Sequence, residues 1–160
     1  MKKSVLFGMA LAISSVTLSA CGEEAAPEGV VAPDGVPGLS ASNARMVLAP
    51  VAGNPAAVYF DLAYDGDRNL ALSGAAVEGA ESAMIHEMSE WDGKMQMGEA
   101  LPIVLKKGEK LTFAPGGKHV MAMNVSPKMM AGGTTEVTLI VSGGDKLSFP
   151  AEIRAAGDDR

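Results

Sequence analysis

The chain has 160 residues, with 13 Lys and Arg against 19 Asp and Glu, which gives a net charge of −6. Nucleic-acid binding requires a basic surface, so we expect no nucleic-acid partner. The acidic charge is compatible with binding of cations but indicates no specific site. The length is enough for one folded domain together with an export signal and a tether.

Residues 1–20 have the pattern of a bacterial lipoprotein signal peptide. Lys2 and Lys3 precede a mostly apolar, uncharged run over 4–18, which is too short for a good membrane span. The leader ends at Cys21 in the sequence Leu-Ser-Ala-Cys, which resembles a lipobox. That resemblance implies cleavage before Cys21, lipidation of its thiol and acylation of the new amino group, whereas an ordinary signal peptide cleaved nearby is the alternative.

Cys21 is the only cysteine, so its assignment to a lipid anchor excludes several kinds of chemistry. The mature domain would have neither a free thiol nor a disulfide, which excludes zinc fingers, thiol redox chemistry and a cysteine nucleophile. We expect the protein on the periplasmic side of a bacterial membrane. Gly22 favours the outer membrane only by resemblance to enterobacterial sorting.

The composition divides the mature chain into three parts. Residues 21–40, rich in Ala, Gly, Pro and Glu, predict the lipidated cysteine and a flexible linker. Residues 41–155 form the predicted folded domain, and 156–160 a short tail.

The domain is predicted to consist of short strands separated by turns. The Asp92-Gly93 pair between 87–91 and 94–97 predicts a hairpin. Turn residues recur every eight to twelve residues, which is typical of an antiparallel β-sandwich or barrel. The other predicted strands cover 56–64, 69–77, 82–88, 103–105, 110–113, 118–125, 135–142 and 146–153.

Soft metal ligands are concentrated in one part of the chain. Of 11 methionines, all but Met1, Met9 and Met46 lie between Met84 and Met130, and both histidines, His86 and His119, lie in the same window. Thioethers are soft donors and imidazoles are borderline, so such a mixture suits Cu(I) better than Mg, Ca or Zn. Thioethers also survive in an oxidising compartment, apart from sulfoxide formation.

Strand alternation predicts which of these side chains share a face. In 118–125, His119, Met121 and Met123 point the same way, as do Met84, His86 and Met88 in 82–88 and Met95 and Met97 after the Asp92-Gly93 turn. Core packing is the competing explanation for each methionine taken alone. We assign Met84, Met129 and Met130 to packing.

The spacing of these donors resembles that of the PCu(A)C family of periplasmic copper chaperones. The family pattern is a His, ten residues, a Met, twenty-one residues and His-x-Met. Here His86, Met97, His119 and Met121 occur at those intervals. The surrounding sequences His-Glu-Met, Gly-Lys-Met-Gln-Met and Pro-Gly-Gly-Lys-His-Val-Met agree as well, and the resemblance covers residues 41–155.

The resemblance implies a cupredoxin-like β-sandwich with Greek-key connections and a Cu(I) site formed by His86, Met97, His119 and Met121. It also implies delivery of copper to an extracytoplasmic acceptor, such as a cytochrome oxidase subunit or its assembly factor. Met88 and Met123 are candidate auxiliary ligands, with packing as the alternative. Members are often soluble and some carry a His- and Met-rich C-terminal extension, whereas the leader of this chain resembles a lipobox and residues 151–160 contain neither His nor Met.

We expect a binding protein and no enzyme, since both histidines are already assigned and no catalytic carboxylate pair or serine triad is suggested. Blue-copper electron transfer normally needs a cysteine thiolate, and Cys21 is assigned to the anchor. Two other functions stay open: sequestration of copper or silver for metal tolerance, and a structural envelope lipoprotein without metal.

Overall fold

The structure, a computed structural model, describes residues 35–158. The predicted signal peptide, the lipidation of Cys21 and most of the predicted linker lie outside the described residues, as do the last two residues of the tail. Within the described range, no helix has the length and hydrophobicity that crossing a membrane requires.

The described chain is all β, which confirms the predicted fold class. The predicted strands recur with small shifts at their ends, and β2 and β6 have the predicted bounds. The strands are β1 Leu39–Val47, β2 Ala56–Tyr64, β3 Leu70–Val77, β4 Ser82–Trp91, β5 Lys94–Glu99, β6 Ile103–Leu105, β7 Glu109–Phe113, β8 Lys118–Met123, β9 Thr134–Val141 and β10 Lys146–Arg154.

Strand β1 has no counterpart among the predicted strands. It begins at Leu39, inside the range predicted as linker, and both Leu39 and the preceding Val36 are buried in the core. Its pairing with β2 shifts register between Ser42 and Arg45, and Asn43 between them has a φ of 55°. This bulge interrupts the alternation of buried and exposed side chains by which a strand is recognised in sequence.

The strands form one sheet that closes into a sandwich. Their order is β5-β4-β8-β7-β2-β1-β10-β9-β3-β6, and further pairings of β4 with β3 and of β8 with β2 close it. Most neighbours are antiparallel, but β1 pairs with β10 and β7 with β8 in parallel. The antiparallel prediction therefore holds for the sheet apart from these two contacts.

Strand β2 separates the core from the opposite face of the sheet. Its burial alternates strictly, with Phe60 and every second residue on either side of it buried. Phe60 stacks on Phe113 with ring centroids 4.2 Å apart and meets Phe149 at 5.1 Å. The intervening residues, including Tyr59, therefore point to the other face, where the candidate site lies.

The turn before β1 requires a glycine at position 38. Gly38 has a φ of 80°, and its carbonyl accepts a hydrogen bond of 2.8 Å from the N–H of Asp65. A Cβ at Gly38 would lie 2.5 Å from the backbone nitrogen of Gly66. Gly53 has a similar φ of 86°, but nothing lies within 4 Å of the position of its Cβ.

We therefore expect Gly38→Ala to lower the free energy of unfolding more than Gly53→Ala. Both changes force an L-residue into the left-handed region, at about 1–2 kcal/mol each, and only Gly38→Ala adds a clash with backbone. Urea unfolding followed by circular dichroism measures both. Equal losses in the two variants would contradict the close approach of β1 to the turn after β2.

Candidate metal site

The candidate site lies on the face of the sheet that points away from the core. In β4 the buried Ile85 faces the core, and in β8 the buried Val120 does the same. Because side chains alternate, their neighbours point outward. This site face carries Met84, His86 and Met88 from β4 and His119, Met121 and Met123 from β8.

The two histidines lie directly opposite each other on adjacent strands. The antiparallel register pairs His86 with His119, and their ring centroids are 6.0 Å apart with the ring planes nearly perpendicular. Residues 33 positions apart in sequence thus meet because β4 and β8 pair in this register. The predicted grouping of β4 and β8 donors on one face agrees with this arrangement.

Met121 lies diagonally across from His86, and the two side chains touch. The Nδ1 atom of His86 is 3.1 Å from the Sδ atom of Met121. Without metal, the Nδ1–H group can donate to the sulfur, which is a weak acceptor. With the proton on Nε2 instead, the lone pair of the His86 Nδ1 atom and those of the Met121 sulfur are both available to a metal ion between them. Metal bonds of about 2.0 Å to nitrogen and 2.3 Å to sulfur, as for zinc, place two ligands ~3–4 Å apart.

His119 is held in place by the backbone. It is only 8% exposed, and its Nδ1 lies 3.0 Å from the carbonyl oxygen of Gly117. A carbonyl only accepts, so Nδ1 carries the proton and donates, and the lone pair of the neutral ring is on Nε2. Such a second hydrogen bond fixes the tautomer and orientation of metal-binding histidines. The same carbonyl accepts the N–H of Met88 at 3.3 Å.

Met97 lies on the same face, one strand further out. Met97 pairs directly with Met88. Glu99, two residues further along β5, pairs with His86, so Met97 is diagonal to His86 across the strand pair. Such diagonal neighbours are ~7–8 Å apart at their Cα atoms. The residue is 50% exposed. The structure therefore brings His86, His119 and Met121 together and places Met97 beside them on the edge strand.

The other methionines differ in whether they lie on the site face, pack against the core or are exposed elsewhere. Met88 is half-buried opposite Met97, and Met123 lies opposite Ser82 at the far end of β8. Met84, which we assigned to core packing, instead lies on the site face opposite Met121 and is 37% exposed. Met130 is also exposed rather than packed, whereas Met129 packs against the core and against the position of the Gly79 Cβ.

Tyr59 and Arg45 extend the row of site residues, although neither is among the residues predicted from the sequence. The Tyr59 ring lies 6.4 Å from that of His119 and helps to cover it. The guanidinium of Arg45 lies over Tyr59, 5.1 Å from the ring centroid. The alternation within β2 predicts that Tyr59 points away from Phe60, but only the pairing of β2 with β8 shows what it contacts.

Charged groups flank the donors. Lys118 and Glu87 form an ion pair across β4 and β8, next to the two histidines in sequence. The exposed Glu99 is opposite His86. Within residues 35–158, no three His, Cys, Asp or Glu side chains are grouped as metal ligands, so a metal site here needs thioether donors beside the histidines.

Comparison with protein families identifies relatives of the chain. The family model described as "Putative lipoprotein LpqE-like" matches residues 39–153. A protein named "Putative lipoprotein Lxx21020", from Leifsonia xyli subsp. xyli, is 33% identical over 89 residues. That segment is 55% of this chain and 54% of the relative, so the match spans about half the length of the curated protein.

Solved structures of PCu(A)C domains have the same fold. The apo domain of PmoF1 is 25% identical with a TM-score of 0.61, over 74% of this chain and 94% of that one. DR1885 from Deinococcus radiodurans, solved with Cu(I), is 25% identical with a TM-score of 0.56, over 88% and 87%. The copper-bound PmoF2 domain, at 20% identity and a TM-score of 0.60 over 74% and 93%, supports the fold. The predicted resemblance to this family and its cupredoxin-like fold is confirmed.

We expect His119 in the metal-free protein to be the tautomer with its proton on Nδ1, because the Gly117 carbonyl accepts that proton. Two-bond proton–nitrogen correlation spectra of the neutral imidazoles distinguish the two tautomers. His86 serves as the internal comparison, since its Nδ1 faces only a weak sulfur acceptor. A His119 ring protonated on Nε2 would contradict the assigned role of Gly117.

Proposed function

We propose that the protein binds Cu(I) outside the cytoplasm and passes it to another protein. The chain belongs to the LpqE-like family and has the fold of a PCu(A)C domain, and the proposal starts from these two findings. One Cu(I) ion, its cargo, would be bound by His86, Met97, His119 and Met121. Met88 and Met123 are the candidate auxiliary ligands.

The observation that carries this proposal is the contact between His86 and Met121 beside His119. One borderline nitrogen and one soft sulfur lie 3.1 Å apart, and a second imidazole with a fixed tautomer faces them across the strand pair. Hard cations such as Mg²⁺ and Ca²⁺ take oxygen ligands, so this set of donors selects against them. Thioether and imidazole donors together favour Cu(I).

The solved relatives support the same metal and oxidation state. DR1885 was solved as its Cu(I) form, and the PmoF2 domain was solved with copper bound. The positions of His86, Met97, His119 and Met121 in this chain follow the spacing of the family pattern. Met97 is the member of this set that depends most on that pattern, because Met88 and Met95 are near it on the same face.

Transfer of the ion is supported by where the donors are placed. The site occupies an outer face of the sheet, and Met97 on the edge strand β5 is half exposed. An incoming ligand from an acceptor can therefore approach from the side of β5 and replace one donor at a time. A thiolate, which would hold copper for electron transfer, is absent from the described residues because the single cysteine is Cys21.

The proposed cellular setting follows from the leader and from the names of the relatives. Both the matched family and the Leifsonia protein are described as lipoproteins. We propose that Cys21 carries the lipid and that the domain is anchored on the periplasmic side of a membrane, the outer one being favoured. Its acceptor would be a copper protein of the envelope, for example the copper centres of cytochrome oxidase. The role is that of a binding protein and not of an enzyme.

The metal site is tested by titrating the protein with Cu(I) in the presence of a competing chelator. We expect one Cu(I) per domain, and we expect His119→Ala/Met121→Ala to abolish competition because it removes two donors. Losing even an indirect partner of a metal ligand costs about 10–100-fold in affinity, so this loss exceeds that range. Met130→Ala, far from the site, is the control. Unchanged affinity in a double variant that remains folded by circular dichroism would refute the site.

The choice of Met97 is tested with a matched pair of variants on one strand. Met97 and Met95 point to the same face of β5 and are similarly exposed, so both tolerate leucine equally in terms of packing. We expect Met97→Leu to weaken Cu(I) binding by at least about tenfold and Met95→Leu to leave it unchanged. The reverse result would transfer the ligand role to Met95.

Delivery and sequestration predict opposite phenotypes for deletion of the gene. If the protein delivers copper, the deletion strain has lower oxidase activity when copper is scarce, and added copper restores it. If it sequesters copper, the strain instead becomes sensitive to excess copper or silver. Growth and oxidase activity across a copper series measure both, and complementation with the His119→Ala/Met121→Ala variant should fail. Normal oxidase activity under scarcity would contradict delivery.

A further inference from the structure

The start of the described chain and the tip of one hairpin are at the same end of the sandwich. Strands β2 and β4 both run antiparallel to β8, so they point the same way and end together at Tyr64 and Trp91. Strand β1 is antiparallel to β2, with Leu39 opposite Tyr64. The end defined by Leu39, Tyr64 and Trp91 is named the tether end, because the N-terminal segment enters the domain there.

The β4–β5 hairpin extends past the strand beside it at the tether end. Strand β8 begins at Lys118, opposite Glu87, whereas β4 continues to Trp91 and returns through β5. Every residue of β5 is exposed. The tip carries Trp91, the only tryptophan of the chain, which is 72% exposed, and Met95, which is 57% exposed.

Trp91 pairs with Lys94 and Met95 with Glu90, so the two apolar side chains lie on opposite faces of the hairpin. A surface that meets the tip end-on contacts both of them. Tryptophan is enriched where proteins meet the polar–apolar boundary of a bilayer, because its ring is apolar and its indole N–H is polar. Lys94 follows the turn and has a long stem that can keep its ammonium among lipid headgroups. The composition of the tip thus fits a lipid surface.

The charge at the tether end differs from that of the chain as a whole. The described residues 35–158 carry 10 Lys and Arg against 14 Asp and Glu, but basic and acidic groups balance in the turns of this end, so the acidic excess of the domain lies elsewhere. The predicted linker adds Glu23, Glu24, Glu28 and Asp34 outside the domain. An anionic bilayer therefore repels this end less than the remainder of the domain. The groups are Arg68, Lys94, Lys106, Lys107 and Lys146 on one side and Asp65, Asp67, Asp92, Glu109 and Asp145 on the other.

The position of the predicted anchor favours one end of the domain for contact with the membrane. The roughly 14 residues between Cys21 and Gly35 span at most about 50 Å, but a flexible linker of that length, as predicted here, has a root-mean-square end-to-end distance of only about 20 Å. The nine residues of β2 separate the two ends of the sandwich by about 30 Å. The tether end is therefore held closer to a lipid attached at Cys21 than the opposite end is.

We propose that the tether end faces the bilayer and that the hairpin tip, through Trp91, Lys94 and Met95, inserts into its headgroup region. This rests on the lipid anchor at Cys21 that forms part of the proposed function. The acyl chains at Cys21 would hold the protein on the bilayer by themselves, and the tip would set the orientation of the domain against it. The metal site begins two residues from Met95, so copper would be presented next to the membrane plane, to an acceptor whose copper centre is at that surface.

The test uses the lipidated full chain, purified from membranes and reconstituted on vesicles of phosphatidylcholine and phosphatidylglycerol. Because Trp91 is the only tryptophan, its fluorescence reports on the hairpin tip alone. We expect lipids brominated near the headgroup to quench its emission about twofold, and its maximum to shift to shorter wavelength. Quenching by aqueous acrylamide should fall correspondingly.

In the matched control, the single tryptophan is moved to the end of the sandwich opposite the tether end. Met130 follows the far end of β8 and is 71% exposed, so Trp91→Phe/Met130→Trp places an equally exposed tryptophan there. We expect no quenching by brominated lipid in that variant. Equal quenching of both probes, or quenching at position 130 alone, overturns the proposed orientation. If the protein fails to float with vesicles, both the lipid anchor and the proposed orientation are overturned. Cu(I) titration of the same sample tests the metal site independently of either.

Discussion

The register between β4 and β8 is the constraint on which the site depends. It sets His86 opposite His119 and brings Met121 within 3.1 Å of His86. Because side chains alternate along a strand, a slip of one residue would turn every donor of one strand toward the core. The buried Ile85 and Val120, adjacent to the histidines, oppose that slip, since it would expose them to water and bury the imidazoles. Core and metal site therefore specify the same register.

The domain has to reach a stable fold without a disulfide in the described residues, so its core must supply the stability. Phe60, Phe113 and Phe149 form the aromatic centre of that core, on the face of β2 opposite to Tyr59. The strict alternation of β2 thus connects the stable interior to the site face: one side contributes the stacked rings, and the other covers His119. Changes to the core of β2 would be transmitted to the site through the backbone that carries Tyr59.

Patterns within a single strand could be predicted from the sequence, whereas contacts between distant strands could not. The bounds of β2 follow from its aromatic and β-branched residues and the turn residues after Tyr64, and the shared face of His119 and Met121 follows from alternation. Strand β1 was not recognised because the bulge around Asn43 interrupts that alternation. The assignment of Met84 to packing rests on the general use of methionine in cores, and only the fold shows that its face of β4 points away from the core. The role of Tyr59 could not be predicted from the sequence, because its contact with His119 depends on the pairing of β2 with β8.

The four proposed ligands are held to different degrees, and this difference gives a direction to copper transfer. His119 is buried and hydrogen-bonded to the backbone, His86 and Met121 touch each other, and Met97 on the edge strand is half exposed. Ordering a long, exposed side chain costs conformational entropy, so the bond to Met97 is the one that opens most readily. An acceptor's donor would then replace Met97 first, while His119 keeps its orientation until the last exchange. The rigid side of the site would favour capture of the ion, and its exposed side would favour release past the edge strand β5.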